Sequence, residues 1–190
     1  SSKIINDFNE LDVLAVSISQ ENLNKLANNP DIGQIEENID IYISQVLNNT
    51  NTPQQNRDSN ADQNILNELN VEKAWANDLY GDKVKIGILD TGISDRNGLT
   101  VKDGISMVDT SENGTHIAGI IAAHHESGVY GIAPLAELYA IKSMDENGQG
   151  SLINILKGIE WAIKRDLDIL NLSFGLDIDS DILENMLNEA

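Results

Sequence analysis

"KVKIGILDTG", residues 83–92, decides how the rest of this chain folds. Val84, Ile86, Ile88 and Leu89 crowd a short run that Gly92 closes, and so dense an apolar run reads as a strand covered on both faces rather than one wetted on one side. Strands of that kind occur in parallel sheets sandwiched by helices. The run ends on a carboxylate, Asp90, and that placement raises the question of function.

The flanking sequence agrees with a parallel sheet. "NELNVEKAWANDLYG" (67–81) and "GTHIAGIIAAHH" (114–125) read as helices, "AELYAIKSM" (136–144) as a strand, and "GSLINILKGIEWAIKRD" (150–166) as a long helix opened by Ser151. "LDILNLSFG" (167–175) is a further strand, and "DSDILENMLNEA" (179–190) begins another helix. Apolar strands alternating with helices predict a doubly wound α/β sheet. In such sheets functional residues gather just beyond the carboxyl ends of the strands, where Asp90 and Ser173 fall.

Two zones precede this region. Residues 1–44 read as strand, helix, strand: "LDVLAVSIS" (11–19) alternates, "QENLNKLANNPD" (20–31) is amphipathic and stopped by Pro30, and "IGQIEENIDIYIS" (32–44) alternates again. Two strands and a helix bury too little to stand alone, so this zone must pack against the remainder. Residues 45–62, "QVLNNTNTPQQNRDSNAD", are polar almost throughout and read as an exposed, cleavable linker.

Composition narrows the partners. Twelve Lys and Arg against 31 Asp and Glu give a net charge of −19 over 190 residues, which argues against nucleic acid or an anionic membrane surface. The chain has no cysteine, so disulfides and thiolate metal sites are excluded and the redox compartment stays open. No apolar run approaches the ~20 residues of a membrane helix.

Asp90 alone could be a turn or capping residue. Asp-Thr-Gly (90–92) also matches the aspartic-protease signature, but that chemistry needs an all-β chain and a second carboxylate, and the long helices oppose it. "NGTHIAG" (113–119) is more specific: Gly114 and Gly119 permit close backbone approach, Thr115 can cap the helix, and His116 falls in its first turn. A lone histidine is more often structural. Paired with a strand-end carboxylate upstream, it reads as an Asp–His couple in which the carboxylate fixes the imidazole tautomer. His124 and His125, at the far end of the helix, read as surface or capping residues. Their spacing from His116 excludes a helical zinc pair.

Five blocks in order, "VKIGILDTGI", "NGTHIAGIIAA", "GVYGIAPLAELYAIKSMDENGQGS", "GIEWAI" and "DILNLSFG", resemble the N-terminal half of a subtilisin-like serine protease. The resemblance spans roughly residues 69–190. It implies a three-layer parallel-sheet catalytic domain in which Asp90 orients and His116 acts as general base. It also implies two substrate-pairing edges, Gly148, Gln149 and Gly150 on one side and Ser173, Phe174 and Gly175 on the other, with Leu152 at a pocket rim. Edges of this type hold an extended peptide by main-chain hydrogen bonds.

Residues 1–44 resemble the second half of the family's ferredoxin-like α+β inhibitory propeptide, which in the family chaperones folding and then occupies the active site. The implied organisation is a partial propeptide (1–44), a polar linker holding the maturation site (45–68, the cut falling between Ser44 and Asn70), and half a catalytic domain (69–190). A secreted or cell-surface bacterial zymogen that cleaves itself is implied, with a cytoplasmic enzyme as the alternative.

The sequence departs from the family in three respects, one of them a shorter segment between Asp90 and His116 that trims a surface loop. It contains no Gly-Thr-Ser, the family's nucleophile motif, and the oxyanion Asn of the family has no counterpart either, so the serine is expected from a second chain or a C-terminal segment. The calcium loop after the histidine helix is shortened to "HHESGVYG" (124–131), and its partner region is "DRNGL" (95–99), so calcium is the one cofactor the resemblance leaves open and no metal ligand is assigned. The substrate is expected to be a peptide or protein, and a peptidase dedicated to one precursor, of the lantibiotic-leader type, is a narrower form of this reading. A non-catalytic inhibitory or binding module that retains the half-fold is the reading from a different class.

Overall fold

The structure, a computed structural model, describes residues 2–9, 12–43, 66–94, 98–108, 116–124, 130–175 and 179–190. Its centre is a four-stranded parallel sheet of β4 (Lys85–Asp90), β5 (Val101–Ser106), β6 (Glu137–Lys142) and β8 (Ile169–Leu172), in the order β5-β6-β4-β8. The opening stretch is an interior strand, as its apolar density predicts. Its period-two alternation divides two cores: Ile86 and Ile88 pack with Ala118 and Ala122, whereas Leu89 packs with Ile155, Leu156 and Ile159.

Ala118 and Ala122 belong to helix α3 (His116–Ala122), and the second set belongs to α4 (Leu152–Lys164). Helix α4 buries Leu152, Ile155, Leu156, Ile159 and Ala162, a stripe at three- and four-residue spacing. Ser151 caps it, its Oγ accepting the Asn154 N–H at 3.4 Å. At Gly87 the sheet face is closely covered, since a Cβ there would lie 2.8 Å from Leu167 Cδ1 and 2.9 Å from Leu170 Cδ1, side-chain ends that would have to shift. Helix α5 (Asp181–Glu189) follows with Ser180 as cap, and its Leu183 and Met186 complete the second core.

Three elements differ from expectation. Among the described residues, 66–68 are helical and a separate short helix, α2 (Val71–Trp75), follows, because Asn70 enters the left-handed region at φ 56° and divides the predicted helix. Strand β5 was not read from the sequence: "VKDGIS" lies on the sheet edge, where Lys102 and Asp103 dilute the alternation. In the N-terminal zone an unanticipated strand, β1 (Lys3–Phe8), forms an antiparallel hairpin with β2 (Val13–Ser17).

Helix α1 (Gln20–Leu26) is where the sequence places it, but the expected strand over 32–44 shortens to β3 (Asp40–Ile43). Residues 32–39 join no ladder because their polar side chains bond elsewhere: the Glu36 carboxylate accepts from Ser180 Oγ and the Ile182 N–H, and Asn38 Oδ1 accepts the Ile153 N–H. The N-terminal zone thus caps two helices of the main sheet. Phe8 and Ile41 bury fully in the same cluster as α4 and α5, a contribution of about 1.5–3 kcal/mol each. The polar linker lies, apart from residues 66–68, outside the described residues.

Candidate active site

Parallel strands deliver their last residues to one edge, and here Asp90 ends β4 and Ser173 follows β8. Asp90 is 8% exposed. Its Oδ1 accepts the Thr91 N–H at 2.6 Å, and its carbonyl accepts the N–H groups of Ser143 (3.0 Å) and Met144 (3.3 Å) beyond β6. Gly92 then turns the chain at φ 101°, with Lys142 Cδ 3.2 Å from the position a Cβ would take. The carboxylate thus accepts the next residue's N–H, while the Asp90 main chain is tied to the segment beyond β6.

Lys142, directly opposite Asp90 in the β4–β6 register and 4% exposed, is a buried lysine that the sequence reading missed. Its only sequence signal is a lysine closing an otherwise apolar strand.

His116 opens α3 and is solvent-exposed. The direction of α3 follows from its other end, where the His124 N–H donates to Gly98 O at 2.9 Å and His124 Nε2 lies 3.3 Å from Thr100 Oγ1, beside the start of β5. His116 lies at the opposite end of this helix from Ala122. His124 ties the helix to the sheet rather than standing free on the surface. Gly114, Thr115 and His125 lie outside the described residues. Gly119 does not mark a close approach, because among the described residues no atom lies within 4 Å of a Cβ built there.

The two predicted pairing edges are brought together by a third strand. Strand β7 (Gln149–Ser151) leaves the loop after β6, and β9 (Phe174–Gly175) follows β8 past Ser173, whose Oγ accepts from Asn171 Nδ2 at 2.8 Å. Between them lies β3, antiparallel to both. Ile41 faces Gly150, and Tyr42 faces Gln149 on one side and Gly175 on the other. Gly148, at φ 74°, turns the chain into β7.

Side chains along β3 alternate as an extended peptide requires. Ile41 is 1% exposed and joins the cluster that contains Leu152, Met144 and Phe174, whereas Tyr42 is 53% exposed and its hydroxyl accepts from Gln149 Nε2 at 2.9 Å. Leu152, expected at a pocket rim, is buried in that cluster. The Leu152 N–H donates to Ile39 O at 2.9 Å, prolonging the main-chain grip.

Sequence reasoning missed Glu36, Asn38 and Asp145. For the first two there is no local signal, since their partners are more than a hundred residues away. Asp145 opens "DENG", a turn composition that could have been read. Two segments behind the calcium reading, 95–97 and 125–129, lie outside the described residues.

Comparison with known proteins matches the same region. Residues 81–190 match the family model described as "Subtilase family". "Minor extracellular protease Epr" of Bacillus subtilis (strain 168) is 37% identical over 96% of this chain and 30% of its own length. "Thermostable alkaline protease" of Halalkalibacterium halodurans is 34% identical over 98% of this chain and 50% of its own. "Subtilisin Savinase" of Lederbergia lenta is 40% identical over 66% of this chain and 49% of its own. The chain thus spans half or less of the length of these relatives.

Proposed function

The chain belongs to the subtilase family, and on that premise we infer that it is the N-terminal part of a serine endopeptidase whose own residues 1–44 occupy its substrate groove. Asp90 orients His116, and His116 takes the proton from a serine that the remainder of the protein supplies. The substrate is a polypeptide held extended between residues 148–150 and 173–175. Leu152 lines the wall against which an apolar side chain of that peptide packs.

One observation carries this reading: β3 lies antiparallel between β7 and β9, one side chain buried and the next exposed. Two edges that accept a strand from either side will hold any extended peptide of suitable side chains, because the main chain supplies the bonds. The tethered segment is present at high effective concentration, so it blocks the groove until it is cut and released. Residues 1–44 act in this reading as the inhibitory propeptide, and the cut falls in the linker between Ser44 and Asn70. Extracellular location is part of the proposal and rests on the name of the Bacillus subtilis relative. Among the described residues no helix is long and apolar enough to cross a membrane.

The test uses the full-length protein. Asp90→Asn and His116→Ala should each abolish release of the N-terminal zone, read by intact mass, while leaving the circular dichroism spectrum unchanged. Normal processing in either variant contradicts the assignment.

A further inference from the structure

The groove edge β7 does not extend a long strand; it emerges from a four-residue turn, Asp145 to Gly148. Short strands of this kind fray unless something outside the ladder fixes them. Asp145 provides four hydrogen bonds for that purpose. Its N–H donates to Gln149 O at 2.8 Å and its carbonyl accepts the Gly148 N–H at 3.0 Å. Its side-chain Oδ1 accepts the Asn147 N–H at 2.9 Å and the Gln149 N–H, also at 2.9 Å.

These bonds determine which way the edge faces. In an antiparallel strand the N–H and C=O of one residue point to the same side, and those of the next point to the other. Both main-chain groups of Gln149 are taken by Asp145, so Gly150 turns its own toward β3, where it faces Ile41. A slip of one residue would present the wrong groups to the bound strand. The Gln149 N–H, and after it that of Asn147, holds the Asp145 carboxyl below the usual carboxylate range, as expected for an acceptor of main-chain donors.

We propose that Asp145 is the positioning residue of the substrate groove: through Oδ1 it sets the register in which β7 presents Gly150 to an extended peptide. It touches neither the peptide nor the reacting atoms. This rests on the reading of β7 as a substrate edge, and it predicts a defect confined to ligands long enough to pair as strands.

Two readouts test it on the full-length protein. Asp145→Ala should raise KM for an extended peptide substrate about tenfold with kcat within about twofold, and leave a single-residue ester, which does not reach β7, within about twofold of wild type. Asp145→Asn keeps an Oδ1 acceptor and should restore the peptide KM. Equal losses on both substrates, or no loss on either, overturn the proposal. In the unprocessed protein, amide exchange over residues 40–42 should accelerate in Asp145→Ala and not in Asp145→Asn; unchanged exchange in both overturns it. A wild-type protein that cleaves neither substrate contradicts the protease reading instead, and the exchange arm then decides the role of Asp145 by itself.

Discussion

Glu36 and Ser180, 144 positions apart, share a 2.6 Å hydrogen bond from the Ser180 hydroxyl to the Glu36 carboxylate. The other carboxylate oxygen accepts the Ile182 N–H at 3.1 Å, so an N-terminal residue caps α5 from outside together with the helix's own Ser180. Anions at that position gain from both the unpaired N–H groups and the helix dipole. Glu36→Ala should therefore loosen the N-terminal zone by about 1–2 kcal/mol. Under the proposed maturation, the expected outcome is faster release of that zone, with the processed enzyme unchanged because Glu36 would leave with it. Unaltered release kinetics would contradict the clamp.

Ser143 is fully buried and its Oγ has no hydrogen-bond partner among the described residues. Its N–H bond to Asp90 O is a main-chain contact that any residue but proline keeps. Ser143→Ala removes an unsatisfied hydroxyl while retaining the Cβ, so it should be neutral or stabilise by about 1 kcal/mol. Denaturant midpoints measure this directly, and a marked loss would show that the hydroxyl has a partner.

Two glycines should behave oppositely. A Cβ at Gly131 would lie 2.5 Å from Ala122 N and 2.6 Å from Ala123 N, main-chain atoms that cannot move aside. Gly131→Ala should cost about 2 kcal/mol or more by overpacking the end of α3. Gly119, in the same helix and with no atom of the described residues within 4 Å of a Cβ built there, should tolerate alanine and gain up to about 1 kcal/mol in helix propensity. Similar thermal midpoints for the two variants would contradict this packing.

Acid should act on Asp145 in a defined direction. A carboxyl held below its ordinary range contributes stability that is complete above that range and lost as pH falls through the folded value. Exchange of the Asn147 and Gln149 amides, corrected for intrinsic rates, should therefore accelerate below about pH 4. Asp145→Asn should remove that dependence. Glu146, the neighbouring carboxyl of the turn, is exposed, and Glu146→Gln should leave the dependence in place.

How much was legible follows from where each signal resides. β4 and α4 were readable because burial on both faces, or along one stripe, writes itself into consecutive residues. β5 escaped because an edge strand is half wetted, and Lys102 and Asp103 break its pattern. The alternation of residues 32–44 predicted a strand that forms only over Asp40–Ile43, since Glu36 and Asn38 bond helix ends rather than a ladder. Asp90 was legible by its position at a strand end. Lys142 and Glu36 were not, because their meaning comes from neighbours that only folding supplies.

The central claim is that residues 40–43 occupy the groove through which substrate reaches the reacting serine. Its most direct test adds a synthetic peptide of residues 36–43 to the processed full-length enzyme and measures the rate of serine labelling by a fluorophosphonate. Labelling should slow competitively and saturably with the peptide, and a scrambled peptide should have no effect. Labelling whose rate ignores the peptide at every concentration would contradict the claim.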